Sequence, residues 1–141
     1  MITRRASWRA IHGEFRLRIC IYGIETQVLL DTGFTDPSGR TGLQLNSVLY
    51  EHLKVLGKLR DEQPTEVILA DGTMAYSNSA QVQARLLSDN PSEFFGPMVS
   101  IRAIDGGEAA EPLIGVCFFH RFGCGQLTWD FADETISIRI P

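Results

Sequence analysis

The sequence predicts an all-β fold, a closed or barrel-like sheet with two short helices. Two observations carry this expectation. Apolar and polar residues alternate at the strand period in the clearest segments, as in 14–22, where Phe15, Leu17, Ile19 and Ile21 share one face and Arg16 and Arg18 the other. Only two stretches, near 46–57 and 116–122, carry apolar residues in a helical pattern, and both are short.

Taken in order, residues 1–13 are basic and lack a clear period, so they read as an N-terminal tail or arm, with 14–141 as the folded domain. The strand over 14–22 turns at Tyr22-Gly23 and returns over 24–30. Asp36-Pro37-Ser38-Gly39-Arg40-Thr41-Gly42 has loop composition throughout, and 42–45 is a short strand. Asn46 is placed to cap a helix with Val48, Leu49, Leu53 and Leu56 on its apolar face and Gly57 as its stop; His52 is a partly exposed residue of that helix. A short strand over 67–70 meets Asp71-Gly72, a strong hairpin signal, and 74–87 then alternates as one long strand. A loop over 88–97 holds Pro91 and Pro97, and a strand follows over 98–104. After the acidic turn at 105–108 come the apolar segment Pro112-Leu113-Ile114-Gly115, a helix over 116–122, and two closing strands over 126–131 and 135–140.

At 141 residues the chain suits one domain with a real core. Its 44% hydrophobic and 21% charged residues are those of an ordinary globular protein, and a net charge of −4 argues against nucleic acid as a partner. No apolar run has the length to cross a membrane, and the basic N-terminus has no apolar segment behind it. The three cysteines, Cys20, Cys117 and Cys124, are odd in number with no CxxC pair, which fits reduced thiols in a cytoplasmic protein. Cys117, His120 and Cys124 would share a helical face, but three soft ligands that also pack well in cores are read as structural. No metal and no cofactor is expected.

The stretch with chemistry in it is Val28-Leu29-Leu30-Asp31-Thr32-Gly33-Phe34. Apolar residues lead to an acid, and a glycine just behind it lets the backbone turn and approach a neighbour. A carboxylate held there would feel a low dielectric, which prepares an acid for proton transfer. Asp, Thr and Gly are also ordinary turn residues, so the tripeptide alone reads equally as the end of a strand.

The order of the motifs resembles the retropepsin-like aspartic proteases, single-lobe relatives of the retroviral enzymes, and most closely their bacterial members. A hairpin runs into Leu-Leu-Asp-Thr-Gly; a middle hairpin is tipped by Asp-Gly; Leu113-Ile114-Gly115, a short helix and a strand pair follow, over roughly residues 14–140. The resemblance implies that Asp31 is the catalytic acid, that Thr32 and Gly33 support its loop, and that Phe34 faces the substrate cleft. It implies a flap at Ala70, Asp71, Gly72 and Thr73, and a strand of Leu113, Ile114 and Gly115 that crosses behind the acid. Such chemistry needs two carboxylates, and the chain has one Asp-Thr-Gly. The second acid would therefore come from another copy, in a two-fold homodimer acting on protein or peptide substrates. Phe34 stands where the retroviral enzymes usually carry a small residue, and the tip has a single glycine. Two other readings stay open: a non-catalytic module of the same fold for dimerisation or peptide binding, and a β-barrel with no active site.

Overall fold

The computed structural model describes residues 4–34, 36–59, 64–68, 72–89 and 92–141, and these form eleven strands and two helices. In chain order they are β1 (Arg4–Arg9), β2 (Arg16–Ile21), β3 (Ile24–Leu30), β4 (Thr41–Leu45), α1 (Ser47–Val55), β5 (Thr65–Ile68) and β6 (Met74–Ser77). There follow β7 (Ser79–Asp89), β8 (Ser92–Asp105), β9 (Leu113–Ile114), α2 (Val116–Phe122), β10 (Gln126–Asp130) and β11 (Thr135–Ile140).

Six strands close a barrel in the order β2-β3-β9-β4-β8-β7, with β7 returning to β2 through pairs such as Arg18↔Leu87 and Ile21↔Ala84. Closure leaves the barrel no open edge, and the inward residues of each strand fill the interior. Leu17, Ile19 and Ile21 of β2 meet Val28, Leu43 and Val82 there, all buried completely. The all-β expectation is met, and the alternation read over 14–22 is the alternation of β2.

The N-terminal segment departs from the tail expected of it. Over Arg4–Arg9 it is a strand, antiparallel to β11, which pairs on its other side with β10. Ala6 and Trp8 point into the core, Trp8 is 1% exposed, and its indole N–H donates to the Leu87 carbonyl at 2.7 Å. The arginines at 4, 5 and 9 hide a two-residue period that only Ala6 and Trp8 carry.

Two further boundaries differ. The strand expected over 74–87 breaks at Asn78: Met74–Ser77 pairs with β5, while Ser79–Asp89 joins the barrel. The loop expected over 88–97 is largely strand, since β8 begins at Ser92 and pairs back to Asp89. Pro97 fits within it because the register shifts between Ala84 and Leu86, opposite Val99 and Phe95. A bulge there needs no ladder bond from proline, which has no N–H to give.

Helix α1 starts as expected, the Asn46 side chain accepting from the Val48 N–H at 2.8 Å. Its buried face is Tyr50 and Leu53; Val48 and Leu56, expected inward, are 73% and 53% exposed. Among the described residues no helix is long and apolar enough to cross a membrane.

Candidate active site

Asp31 is the first residue beyond β3, and the backbone on both sides of it is tied down. Parallel pairing sets Leu29 beside Leu113 and Leu30 beside Ile114. The Leu29 N–H donates to the Pro112 carbonyl at 2.8 Å, the Leu30 N–H to the Phe15 carbonyl at 3.0 Å, and the Asp31 N–H to the Ile114 carbonyl at 3.0 Å. Beyond Asp31 the chain folds back at once. The Gly33 N–H donates to Asp31 Oδ1 at 2.9 Å, and the Phe34 N–H to the Asp31 carbonyl at 3.2 Å. One carboxylate oxygen is thereby held by the loop that carries it.

The surroundings of this carboxylate are more open than the sequence suggests. Asp31 is half-buried, and Thr32 and Gly33 are exposed. The apolar run ends at Leu30, so the acid stands at the barrel rim, and a single chain does not seal it from water.

Gly115 locks the loop from behind. A Cβ built there would come 2.5 Å from the Phe34 carbonyl oxygen and 3.0 Å from its ring atom Cδ1, so only glycine admits this approach. The Gly115 N–H donates to the Gly42 carbonyl at 3.0 Å, and its carbonyl accepts from the Phe118 N–H at 3.1 Å, at the start of α2. Phe118 is fully buried, packed against the rings of Phe119 and Phe122. Asp31 to Phe34 and Leu113 to Gly115 thus form one bonded unit anchored in the core. The edge of Phe34 lies on Gly115, which accommodates its bulk.

The middle hairpin is β5 paired with β6. Of the four tip residues singled out in the sequence, Ala70 and Asp71 lie outside the described residues. Gly72 takes a left-handed conformation (φ 85°), and Gly72 and Thr73 are exposed. Met74 and Tyr76 of β6 are exposed as well. At the root of the hairpin the Thr65 hydroxyl donates to Ser79 Oγ at 2.8 Å. Pro64, Thr65 and Glu66 line a cavity of about 430 Å³ with Asp36, Pro37, Ser38 and Arg102. The structure therefore brings the root of the hairpin beside the loop that follows Asp31.

Sequence reading passed over Asp36, which organises that loop. It is 4% exposed and accepts hydrogen bonds from the Ser38 hydroxyl at 2.6 Å, the Thr41 N–H at 3.0 Å, the Arg40 N–H at 3.3 Å and the Thr41 hydroxyl. Burial alone would raise its pKa, but the bonds from Ser38, Thr41, Arg40 and Gly39 outweigh burial and hold the carboxyl below its ordinary 3.8. The signal was present in Asp36-Pro37-Ser38-Gly39, since an aspartate that bonds the backbone just ahead of it is a turn device. A second brace, Arg16, pairs with Glu14 and Glu111 and so ties the start of β2 to the segment leading into β9.

The cysteines are unpaired and half-buried. Burial pushes the Cys117 and Cys124 thiols up, against a smaller opposing pull from Arg121 on Cys117, so both stay protonated at neutral pH. Among the described residues no three His, Cys, Asp or Glu side chains are grouped to hold a metal ion.

No family model matches the chain, and no curated protein matches it. Among solved structures, a retropepsin-like aspartic protease from Rickettsia conorii is similar, with a TM-score of 0.60 over 99% of this chain and 93% of that one, at 12% identity. With so few identical residues, the likeness speaks for architecture alone: this chain has a retropepsin-like all-β fold.

Proposed function

We propose that the chain is a homodimeric aspartic endopeptidase in which Asp31 of each copy supplies half of the catalytic pair. The observation that carries this reading is the bonded unit of Asp31–Phe34 with Leu113–Gly115. It fixes an acid at the barrel rim with its carboxylate turned back on the Gly33 N–H. A strand-ending turn without a task would not need a glycine packed so closely that a Cβ there would fall 2.5 Å from the Phe34 carbonyl oxygen. The half-exposed rim around Asp31 is also what a site completed by a second copy requires.

Two such carboxylates brought together cannot both ionise cheaply, so the pair holds one proton, as in aspartic proteases generally. The ionised Asp31 takes a proton from a water held between them as its oxygen bonds to the scissile carbonyl carbon. The other Asp31 gives its proton to the carbonyl oxygen, forming a tetrahedral diol. Collapse returns a proton from the diol to one carboxylate while the other protonates the leaving nitrogen. The carbon–nitrogen bond breaks, and the pair again holds one proton. The hairpin of β5 and β6 acts as the flap that excludes water and orients an extended peptide, with Gly72 and Thr73 toward its tip. Phe34 belongs to the floor of the cleft.

The test is digestion of a peptide library over a pH series with wild type and Asp31→Asn side by side. Wild type is expected to cut with an acid-favoured profile, and Asp31→Asn to lose cleavage while keeping its melting temperature. Cleavage unchanged in the variant would end the reading. Peptide binding without cleavage by wild type at every pH would instead favour a non-catalytic peptide-binding module.

A further inference from the structure

We infer that the outer face of the barrel carries a site for a small apolar carboxylate, a compact aromatic acid, with Arg85 as the group that binds its charge. The site is independent of the homodimer reading, because it lies at the far end of β3 from Asp31. Gly23 precedes that strand and Asp31 follows it, about 25 Å apart at the rise of a strand. Residues of β2, β7, β8 and the turn after β2 enclose a cavity of about 320 Å³ there, with Cys20, Tyr22, Gly23, Arg85, Phe94 and Met98 in its walls. That volume is at the small end for ligand sites and suits a compact molecule. Phe94 and Met98 are 46% and 60% exposed, so the fold of one chain leaves these apolar walls uncovered. Tyr22 is left-handed (φ 48°), at a turn position that ordinarily takes Asn or Gly, and it adds a wall those residues would not supply.

The bulge between β7 and β8 sets the wall at Arg85. Ala84 pairs with Val99 and Leu86 with Phe95, so Arg85 alone on β7 stands opposite Gly96, Pro97 and Met98 on β8. A bulge of this kind re-aims the side chains beside it. It is pinned from beneath, because Gly96 is left-handed (φ 74°) and a Cβ there would fall 2.2 Å from Cζ of the buried Phe122. The wall is therefore shaped by packing and needs no ligand to form it.

Charge decides what the cavity takes. Among the described residues Arg85 is the one formal charge in its lining. The guanidinium lies 4.8 Å from the centroid of the Phe94 ring, and its Nε, closed off from solvent, has no hydrogen-bond partner among the described residues. Glu25, opposite Cys20 in register, and Asp89, further along β7, both pair with Arg18 instead. A carboxylate matches a guanidinium through two parallel N–H bonds, and a flat apolar body then covers Phe94 and Met98. The unanswered cation selects an anion, and the apolar walls select its body.

Isothermal titration of the full chain tests this with 2-naphthoate, the neutral 2-naphthamide and the cationic 2-naphthylmethylammonium as probes. The proteins are wild type, Arg85→Gln, Met98→Asp and Val48→Asp, the last a control that puts a charge into a separate apolar cavity of about 330 Å³ beside α1. Wild type is expected to bind one naphthoate per chain, about tenfold or more tighter than the amide, and the ammonium most weakly. Arg85→Gln should weaken naphthoate by about tenfold or more and leave the amide within about twofold, which shows the cavity intact. Met98 is exposed, so Met98→Asp should fold and weaken naphthoate by about tenfold even where Arg85→Gln fails to fold. Val48→Asp should bind as wild type does. No saturable naphthoate binding by wild type, equal affinity for naphthoate and amide, or unchanged affinity in folded Arg85→Gln or in Met98→Asp would each overturn the site. Loss of binding in Val48→Asp would place the ligand beside α1 and overturn it as well.

Discussion

Gly115 carries no side chain, and for that reason it sets the position of the Asp31 loop. A methyl group at that place would overlap the Phe34 carbonyl, an atom of backbone that can yield only if the loop shifts. Gly115→Ala is therefore expected to cost about 1–3 kcal/mol, as overpacking does, and to reduce peptide cleavage further than that loss of stability explains. Urea unfolding together with kcat on one peptide separates the two effects; a normal kcat in the variant would free the loop from Gly115. Asp36 makes a second case, tied to pH. Its folded pKa lies below its ordinary 3.8, so its contribution is complete above that value and is lost as pH falls through the folded pKa. Asp36→Asn should cost about 1–3 kcal/mol near neutrality. The gap in urea midpoint between wild type and variant should then narrow below about pH 3.8. A gap that is flat with pH would mean that the carboxylate charge is not what holds the loop.

Elements came through the sequence in proportion to how purely a single period wrote them. The β2–β3 hairpin, α2 and β11 were legible because alternation or helical spacing ran between clear turn residues. Strand β1 was not, because Arg5, Ser7 and Arg9 take the outward positions, Arg4 puts a charge on the inward face, and only Ala6 and Trp8 mark that face as apolar. In β8, Pro97 reads as loop until its bulge partner on β7 is known, and that partner is a matter of pairing that no local window contains. The same holds at the site. Asp31, Thr32 and Gly33 stand out as a motif, whereas the seat of Phe34 on Gly115 joins residues far apart in the chain. Strand β1 supplies the prediction at this scale. Trp8 is 1% exposed and bonds the Leu87 carbonyl, so Trp8→Ala is expected to cost about 3–5 kcal/mol. Thermal and urea unfolding check this, and a loss under about 1 kcal/mol would return the segment to a dispensable arm.

Across the whole molecule, the decisive feature of the proposed function is arithmetic: one Asp-Thr-Gly acid per copy for a proposed reaction that uses two. If each site draws its carboxylates from two chains, activity must follow the population of pairs in which both are intact. Asp31→Asn chains retain every contact outside the carboxylate and should exchange freely into dimers with wild type. At constant total protein, an equimolar mixture left to exchange holds about a quarter of its dimers as intact pairs, so cleavage should fall to about a quarter of the wild-type rate. A chain that worked alone would retain about half, simply by dilution. Dilution of wild type below its dimer constant should likewise lower the rate per chain, with recovery on reconcentration. A peptide-cleavage assay on a graded series of mixtures distinguishes the curves, since paired sites give a quadratic dependence on the wild-type fraction and solitary sites a straight line. A straight line would remove the composite site, even if Asp31→Asn by itself were inactive.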